Sequence, residues 1–261
     1  MPSDSGIVRQ SAEWYEIANK VRQHTPARIM EGRSGASYRT ATQLQLRADH
    51  AAARDAVQAE LDLSADLGQD FIERWQLFEV STRATSKSEY LLRPDLGRTF
   101  DEAARSTIRE QCIQSPTVQI VIGDGLSVKA VSAQVPGLLP LLLNGARERD
   151  WPTGRPFVIR HCRVGVINEI GELLHPKAVV LLVGERPGLA TAESLSAYLA
   201  YNPRPGHTDA NRNLISNIHS NGVPVAEAAT RILDFVNAML KEQTSGVHLK
   251  ERPHGPLMIP G

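Results

Sequence analysis

Residues 178–184 read AVVLLVG, a run of apolar β-formers with no polar residue on either side of the pleat. A strand apolar on both faces must be covered on both, and sheets of parallel strands meet that need with helices packed above and below. The remainder of residues 99–250 carries the pattern such a sheet requires. VQIVIGDGLS (118–127) reads as a short strand, a glycine turn, and Ser127 as N-cap of a helix through Val128, Ala130 and Val131. PFVIRHCRVGVI (156–167) contains a further strand, and the chain beyond the 178–184 run, through ESLSAY (193–198), reads as helix-like. PVAEAATRILDFVNAML (224–240) is a closing helix, with Pro224 suited to its first turn and Ile232, Val236 and Leu240 on one side. Thr99 and Glu102 stand at capping-box spacing and Asp101 adds negative charge, so a helix is expected from there toward Gln114. The fold expected for residues 99–250 is therefore α/β, with a Rossmann-like, mainly parallel sheet and flanking helices. About 150 residues can bury around two-thirds of their unfolded surface, enough for an independent core.

The preceding stretch has a different grammar. Residues 1–24 are polar and weakly patterned: Ile7, Val8, Trp14, Ile17 and Val21 fit one side of a short helix, or the segment is a flexible arm. Residues 25–98 read as a smaller, mainly helical domain with a hairpin. Its main helix lies in TATQLQLRADHAAARDAVQAEL (40–61), where Leu46, His50, Ala53 and Val57 share an apolar side. His50 there is read as a core histidine rather than a ligand or base. FIERW (71–75) is another helical piece, LFEVST and EYLLRP flank the polar ATSKS as a hairpin, and RPDLGR (93–98) is a turn at the domain boundary. ERPHGPLMIPG (251–261) reads as a disordered tail.

Composition excludes several classes. Twenty-nine basic residues balance 29 acidic ones, leaving no global positive field for a nucleic acid. The longest apolar runs, 178–183 and 138–143, fall far below the roughly 20 residues of a membrane helix. MPSDSGIVRQ lacks the basic start and apolar stretch of a secretion signal, so a cytoplasmic protein is expected. Two cysteines, Cys112 and Cys162, are too few for a disulfide framework or a cysteine-based zinc site. There is no G-x-x-x-x-G-K-[ST], no H-E-x-x-H and no G-x-S-x-G.

Ligands of such sheets lie beyond the carboxyl ends of the strands. Two loops qualify: Gly123-Asp124-Gly125-Leu126-Ser127 and Gly184-Glu185-Arg186-Pro187-Gly188. In the first, Val128 replaces the third glycine of G-x-G-x-x-G, which weakens a nicotinamide or flavin reading; Asp124 either reaches a ligand or caps its own turn. In the second, the two glycines allow close backbone approach to something bulky and Pro187 stiffens the turn. Glu185 is then either a fixed acceptor for a ligand or a partner of helix N–H groups or of Arg186. Arg93 and Arg98, around Pro94-Asp95, either meet another chain or pair locally with the aspartate.

VGERPGL, ESLSAY and YNPRPGHTDANRNLISNIHSNG resemble the small (light) chain of ethanolamine ammonia-lyase. TPARIMEGRSG, ADHAAARDAV, YLLRPDLGR, VIGDGLS and RVGVINEIGELL are similar to that family too, in the same order, so the resemblance covers about residues 25–248. It implies a chain without substrate chemistry of its own. In the family a large TIM-barrel partner binds ethanolamine, and the small chain closes over adenosylcobalamin at the interface of a hetero-oligomer. The resemblance assigns cofactor contacts to Glu185, to Val164 through its side chain or backbone, and to Leu214, where many relatives carry Cys. The absence of D-x-H-x-x-G agrees with cobalamin bound with its own base below cobalt. Location inside a bacterial microcompartment is left open beside the cytoplasm. A stand-alone corrinoid carrier is the rival from another class, with a nucleotide-dependent oxidoreductase behind it.

Overall fold

The buried run forms a central strand of a six-stranded sheet in the computed structural model, which describes residues 12–25, 29–188 and 191–251. The described residues open with α1 (Ala12–Gln23), a small antiparallel pair β1 (Arg33–Ser34) and β2 (Ser37–Tyr38), and α2 (Thr40–Gln58). Short helices α3 (Leu63–Leu67) and α4 (Gln69–Trp75) lead to β3 (Phe78–Ser81), α5 (Lys87–Leu92) and α6 (Glu102–Gln111). Then come β4 (Val118–Gly123), α7 (Val128–Glu148), β5 (Phe157–Arg160), α8 (Val166–Leu174) and β6 (Ala178–Gly184). Strands β7 (Leu195–Tyr201) and β8 (Asn213–Ile218) and helix α9 (Val225–Glu242) complete it.

The sheet order is β3-β5-β4-β6-β7-β8. The first four strands pair in parallel; β7 and β8 add two antiparallel strands beside β6. The molecule is thus mixed α/β with a mainly parallel sheet. The double apolarity of β4 and β6 is used on both sides. Ile120, Ile122, Val180 and Leu182 enter one core with Leu138, Leu139 and Leu142 of α7 and Ile232 and Val236 of α9. Val121, Val179, Leu181 and Val183 enter the other, with Ile108 of α6 and Ile167 and Ile170 of α8. Among the described residues no helix is long and apolar enough to cross a membrane.

Several local expectations need correction. The hairpin around ATSKS is not formed: Phe78–Ser81 pairs in parallel with β5 as the sheet edge, and Lys87–Leu92 is helical with Ser86 as N-cap. A strand from before residue 98 therefore completes the sheet that follows it. ESLSAY, which has the Leu and Ala of a helix, is strand β7, because pairing with β6 and β8 outweighs local propensity. The N-cap of α6 is Asp101, whose side chain accepts from the Ala104 N–H, and the helix stops at Gln111. His50 faces solvent, so α2 turns its histidine outward rather than into a core. The segment 14–23 is helical with Ala18 buried and Ile17 exposed; residues 1–11 and the tail 252–261 lie outside the described residues.

Candidate functional site

Because β4 and β6 are parallel neighbours, their two glycine turns leave the sheet side by side at its carboxyl edge. Each glycine there is required by the other turn. A Cβ on Gly125, whose φ is +58°, would lie 2.3 Å from the Gly184 carbonyl oxygen. One on Gly184 would lie 2.0 Å from the Ser127 oxygen. The Leu126 N–H donates to the Gly184 carbonyl at 3.0 Å and seals the contact. Gly184 thus serves close packing within the chain rather than approach to a ligand, and only Gly188 has open space around it. Ser127 caps α7 as its sequence indicates, through the Ala130 N–H.

Glu185 is anchored by neither a helix nor Arg186. Its Oε2 accepts from the Ser194 hydroxyl at 2.8 Å. Its Oε1 accepts from the Ser196 hydroxyl at 2.6 Å and from the Asn217 N–H at 2.8 Å. The carboxylate therefore joins the end of β6 to β7 and to the left-handed residue Asn217 on β8 (φ 62°). Three donors fill three of about four lone-pair positions, leaving acceptor capacity on Oε2. The residue is half-buried and stands at a cleft, so that capacity is reachable.

Asp124 caps no turn of its own. Its carboxylate accepts from the N–H groups of His161 and Cys162, each at 2.9 Å. His161 has φ 55°, and the aspartate holds that left-handed corner after β5 in place. Lys87 stands 4.0 Å from the carboxylate, donates to the Gly125 carbonyl at 3.2 Å and lies over the Tyr90 ring. Both charges are buried, so desolvation pushes the Asp124 carboxyl up and the Lys87 ammonium down, each opposed by its attraction to the other. The corner is further fixed by the Tyr90 hydroxyl, which donates to the Cys162 carbonyl at 3.0 Å. The Arg163 guanidinium lies 4.2 Å from the Tyr90 ring centroid and donates to the Tyr90 carbonyl. Asp124 is a framework residue that presents the 161–165 segment.

That segment and the two strand edges enclose a cleft of 310 Å³. Val164, Glu185 and Leu214, far apart in sequence, all line it. Leu214 pairs with Tyr198 across β7 and β8 and leaves nearly half its surface exposed, at 46%. The Val164 N–H, just before α8, has no acceptor among the described residues. Arg93 forms a two-bond local pair with Asp95, whereas Arg98 lines a second, larger cleft beside the first. Sequence reasoning missed Ser194, Ser196 and Tyr198, which orient the acceptor and wall the cleft; alternate spacing in E-S-L-S-A-Y, read as a strand, would have placed them on one face. It also missed Tyr90 and Arg163, whose roles arise from contacts 72 and 73 residues apart. Among the described residues no group of three or more His, Cys, Asp or Glu is placed to hold a metal ion.

Residues 15–250 match the family model described as "Ethanolamine ammonia-lyase light chain (EutC)". The chain is 43% identical over 231 residues to the ethanolamine ammonia-lyase small subunit of Fusobacterium nucleatum, covering 88% of this chain and 76% of that protein. The small subunit from Clostridium perfringens gives the same identity and coverage. That of Clostridium acetobutylicum is 39% identical over 235 residues, 90% of this chain and 95% of the relative. A match spanning both clefts and every strand of the sheet means that the chain belongs to the ethanolamine ammonia-lyase light-chain family.

Proposed function

We propose that this chain is the small subunit of an adenosylcobalamin-dependent ethanolamine ammonia-lyase and closes the cobalamin site at the interface with a large subunit that binds ethanolamine. The observation that carries the reading is the convergence of Val164, Glu185 and Leu214 on one cleft. A corrin is a broad disc with apolar faces and a rim of amide side chains. The cleft offers what such a rim needs: a free backbone donor at Val164, a fixed acceptor at Glu185 and an exposed apolar side chain at Leu214. When bound, adenosylcobalamin supplies a cobalt–carbon bond whose homolysis starts the radical conversion of ethanolamine to acetaldehyde and ammonia. Glu185 binds and orients, its carboxylate held by two serines so that no reorganisation accompanies binding. Leu214 and Tyr198 keep water from that wall, and leucine does so without the sulfur of the relatives' cysteine.

Glu185→Gln tests this. Glutamine can keep the Ser196 and Asn217 bonds on its oxygen and donate its NH₂ to Ser194, so the fold survives while the spare acceptor becomes a donor. Losing a charged acceptor bond is worth about 1.5–3 kcal/mol, so cobalamin affinity of the heteromer, read by equilibrium dialysis, falls about tenfold or more. Unchanged affinity at an unchanged melting temperature would make Glu185 purely structural. The isolated chain is expected to show no lyase activity; tight uptake of cobalamin by the chain alone would point to a carrier instead.

A further inference from the structure

The two walls of the smaller cleft are held in different ways. On the Val164 side the fixing is steric. A Cβ on Gly165 would meet Arg98 Cγ at 2.9 Å, and one on Gly97 would meet Arg163 Cγ at 2.6 Å, so each arginine stem lies on the other loop's glycine. On the Glu185 side the fixing is hydrogen-bonded, and it runs beyond the cleft to a buried side chain, His219, which lines neither cleft.

The contacts begin at an irregularity in the sheet. Ala197 pairs with Ile215 and Leu195 with Ile218, so β8 carries one residue more than β7 between these pairs. An extra residue of this kind bends the strand and takes a backbone N–H out of the ladder. Asn217 adopts φ 62° there, a left-handed conformation that asparagine tolerates better than most residues. Its N–H turns instead to Glu185 Oε1, at 2.8 Å. The chain then doubles back: the Val223 N–H donates to the Asn217 carbonyl at 2.8 Å, and the Gly222 N–H to the His219 carbonyl at 3.0 Å. His219 sits inside this loop, 4% exposed. The Asn221 N–H donates to its Nδ1 at 3.2 Å, which places the ring proton on Nε2. Nε2–H in turn donates to Asn217 Oδ1 at 2.8 Å. A Cβ on Gly222 would come within 2.8 Å of Nε2, so the glycine leaves the room that the ring needs.

We propose that His219 is a positioning residue for Glu185. By holding the Asn217 side chain it keeps residue 217 left-handed and its N–H on Oε1, and so leaves the spare acceptor capacity of the carboxylate on Oε2. This rests on the corrinoid reading above, in which Glu185 meets the corrin rim. Without the ring, Asn217 relaxes toward ordinary strand geometry, its N–H leaves Oε1, and the carboxylate is free to turn between Ser194 and Ser196.

Two replacements separate the two ring nitrogens. Glutamine carries an amide nitrogen at the reach of Nε2 and still donates to Asn217. Asparagine carries an oxygen at the reach of Nδ1, so it serves Asn221 but falls short of Asn217. The heteromer with its large subunit is prepared as wild type, His219→Gln and His219→Asn, each also in the Glu185→Gln background. Adenosylcobalamin affinity is read by equilibrium dialysis beside the melting temperature. His219→Asn is expected to weaken binding about three- to tenfold while His219→Gln stays within about twofold of wild type. The asparagine effect should disappear once residue 185 is glutamine, because no spare acceptor is left to aim. No loss in His219→Asn, an equal or larger loss in His219→Gln, or a loss that persists unchanged in the Glu185→Gln background would overturn the positioning role and leave the corrinoid reading in place. Failure of the wild-type heteromer to bind adenosylcobalamin would instead overturn the corrinoid reading, and the role of His219 with it.

Discussion

Strand β6 and helix α2 are both rich in apolar residues, yet they occupy opposite extremes of the molecule. All seven residues of β6 are buried. Of the nineteen in α2, Ala56 alone is buried, and Leu44 is 59% exposed. The strand has no hydrogen-bonded existence apart from its neighbours, so its apolar run announces burial from both sides. The helix satisfies its own backbone and is favoured by its alanine, leucine, glutamine and arginine content, so its pattern announces a conformation without saying what covers it. The difference teaches that apolar content means different things in the two settings: core in one, local propensity in the other.

The sharpest contrast should come from the loops at the end of the sheet. Asp124→Ala removes the acceptor for two buried N–H groups and strands the Lys87 ammonium, with an expected loss of about 3–5 kcal/mol in denaturant unfolding. Adding Lys87→Met should recover part of it; no recovery would show that the backbone bonds, not the charge pair, dominate. Leu182→Ala, within the strand itself, is expected to cost about 2–5 kcal/mol. Leu44→Ala on α2 should change stability by no more than about 0.5 kcal/mol in the isolated chain. A loss near that of Leu182 would break the comparison and show that α2 belongs to the core. The mildest test is chemical: burial pushes the Cys112 thiol up to about 12 and Cys162 well above its ordinary range, so the thiolate is scarce at pH 8. Neither cysteine should react with a thiol reagent until the sheet unfolds.

Legibility followed the same division. Strands β4 and β6, helices α2 and α9 and the Ser127 cap could be read from short windows, because their signals are local or rest on uninterrupted burial. Strand β7 could not, since Leu195, Ala197 and Leu199 suit a helix equally and only pairing with β6 and β8 decides. Strand β3 was mistaken for half of a hairpin because its partner, β5, begins at Phe157, far along the chain. At the site, motif resemblance picked out Val164, Glu185 and Leu214, which do line one cleft. The physical reasoning about Gly184 was misdirected: its lack of a side chain accommodates Ser127, a neighbour invisible until β4 and β6 are laid side by side. The partners of Glu185 were equally hidden, since Asn217 approaches it from 32 residues away.

The crossed seating of Arg98 on Gly165 and Arg163 on Gly97 has a consequence for how such a chain can vary. Enlarging either glycine by one methyl would evict the arginine belonging to the opposite loop, so neither segment can drift alone. The two loops are inherited as a lock and its own key: substitutions tolerated in one are set by the side chain the other has placed there.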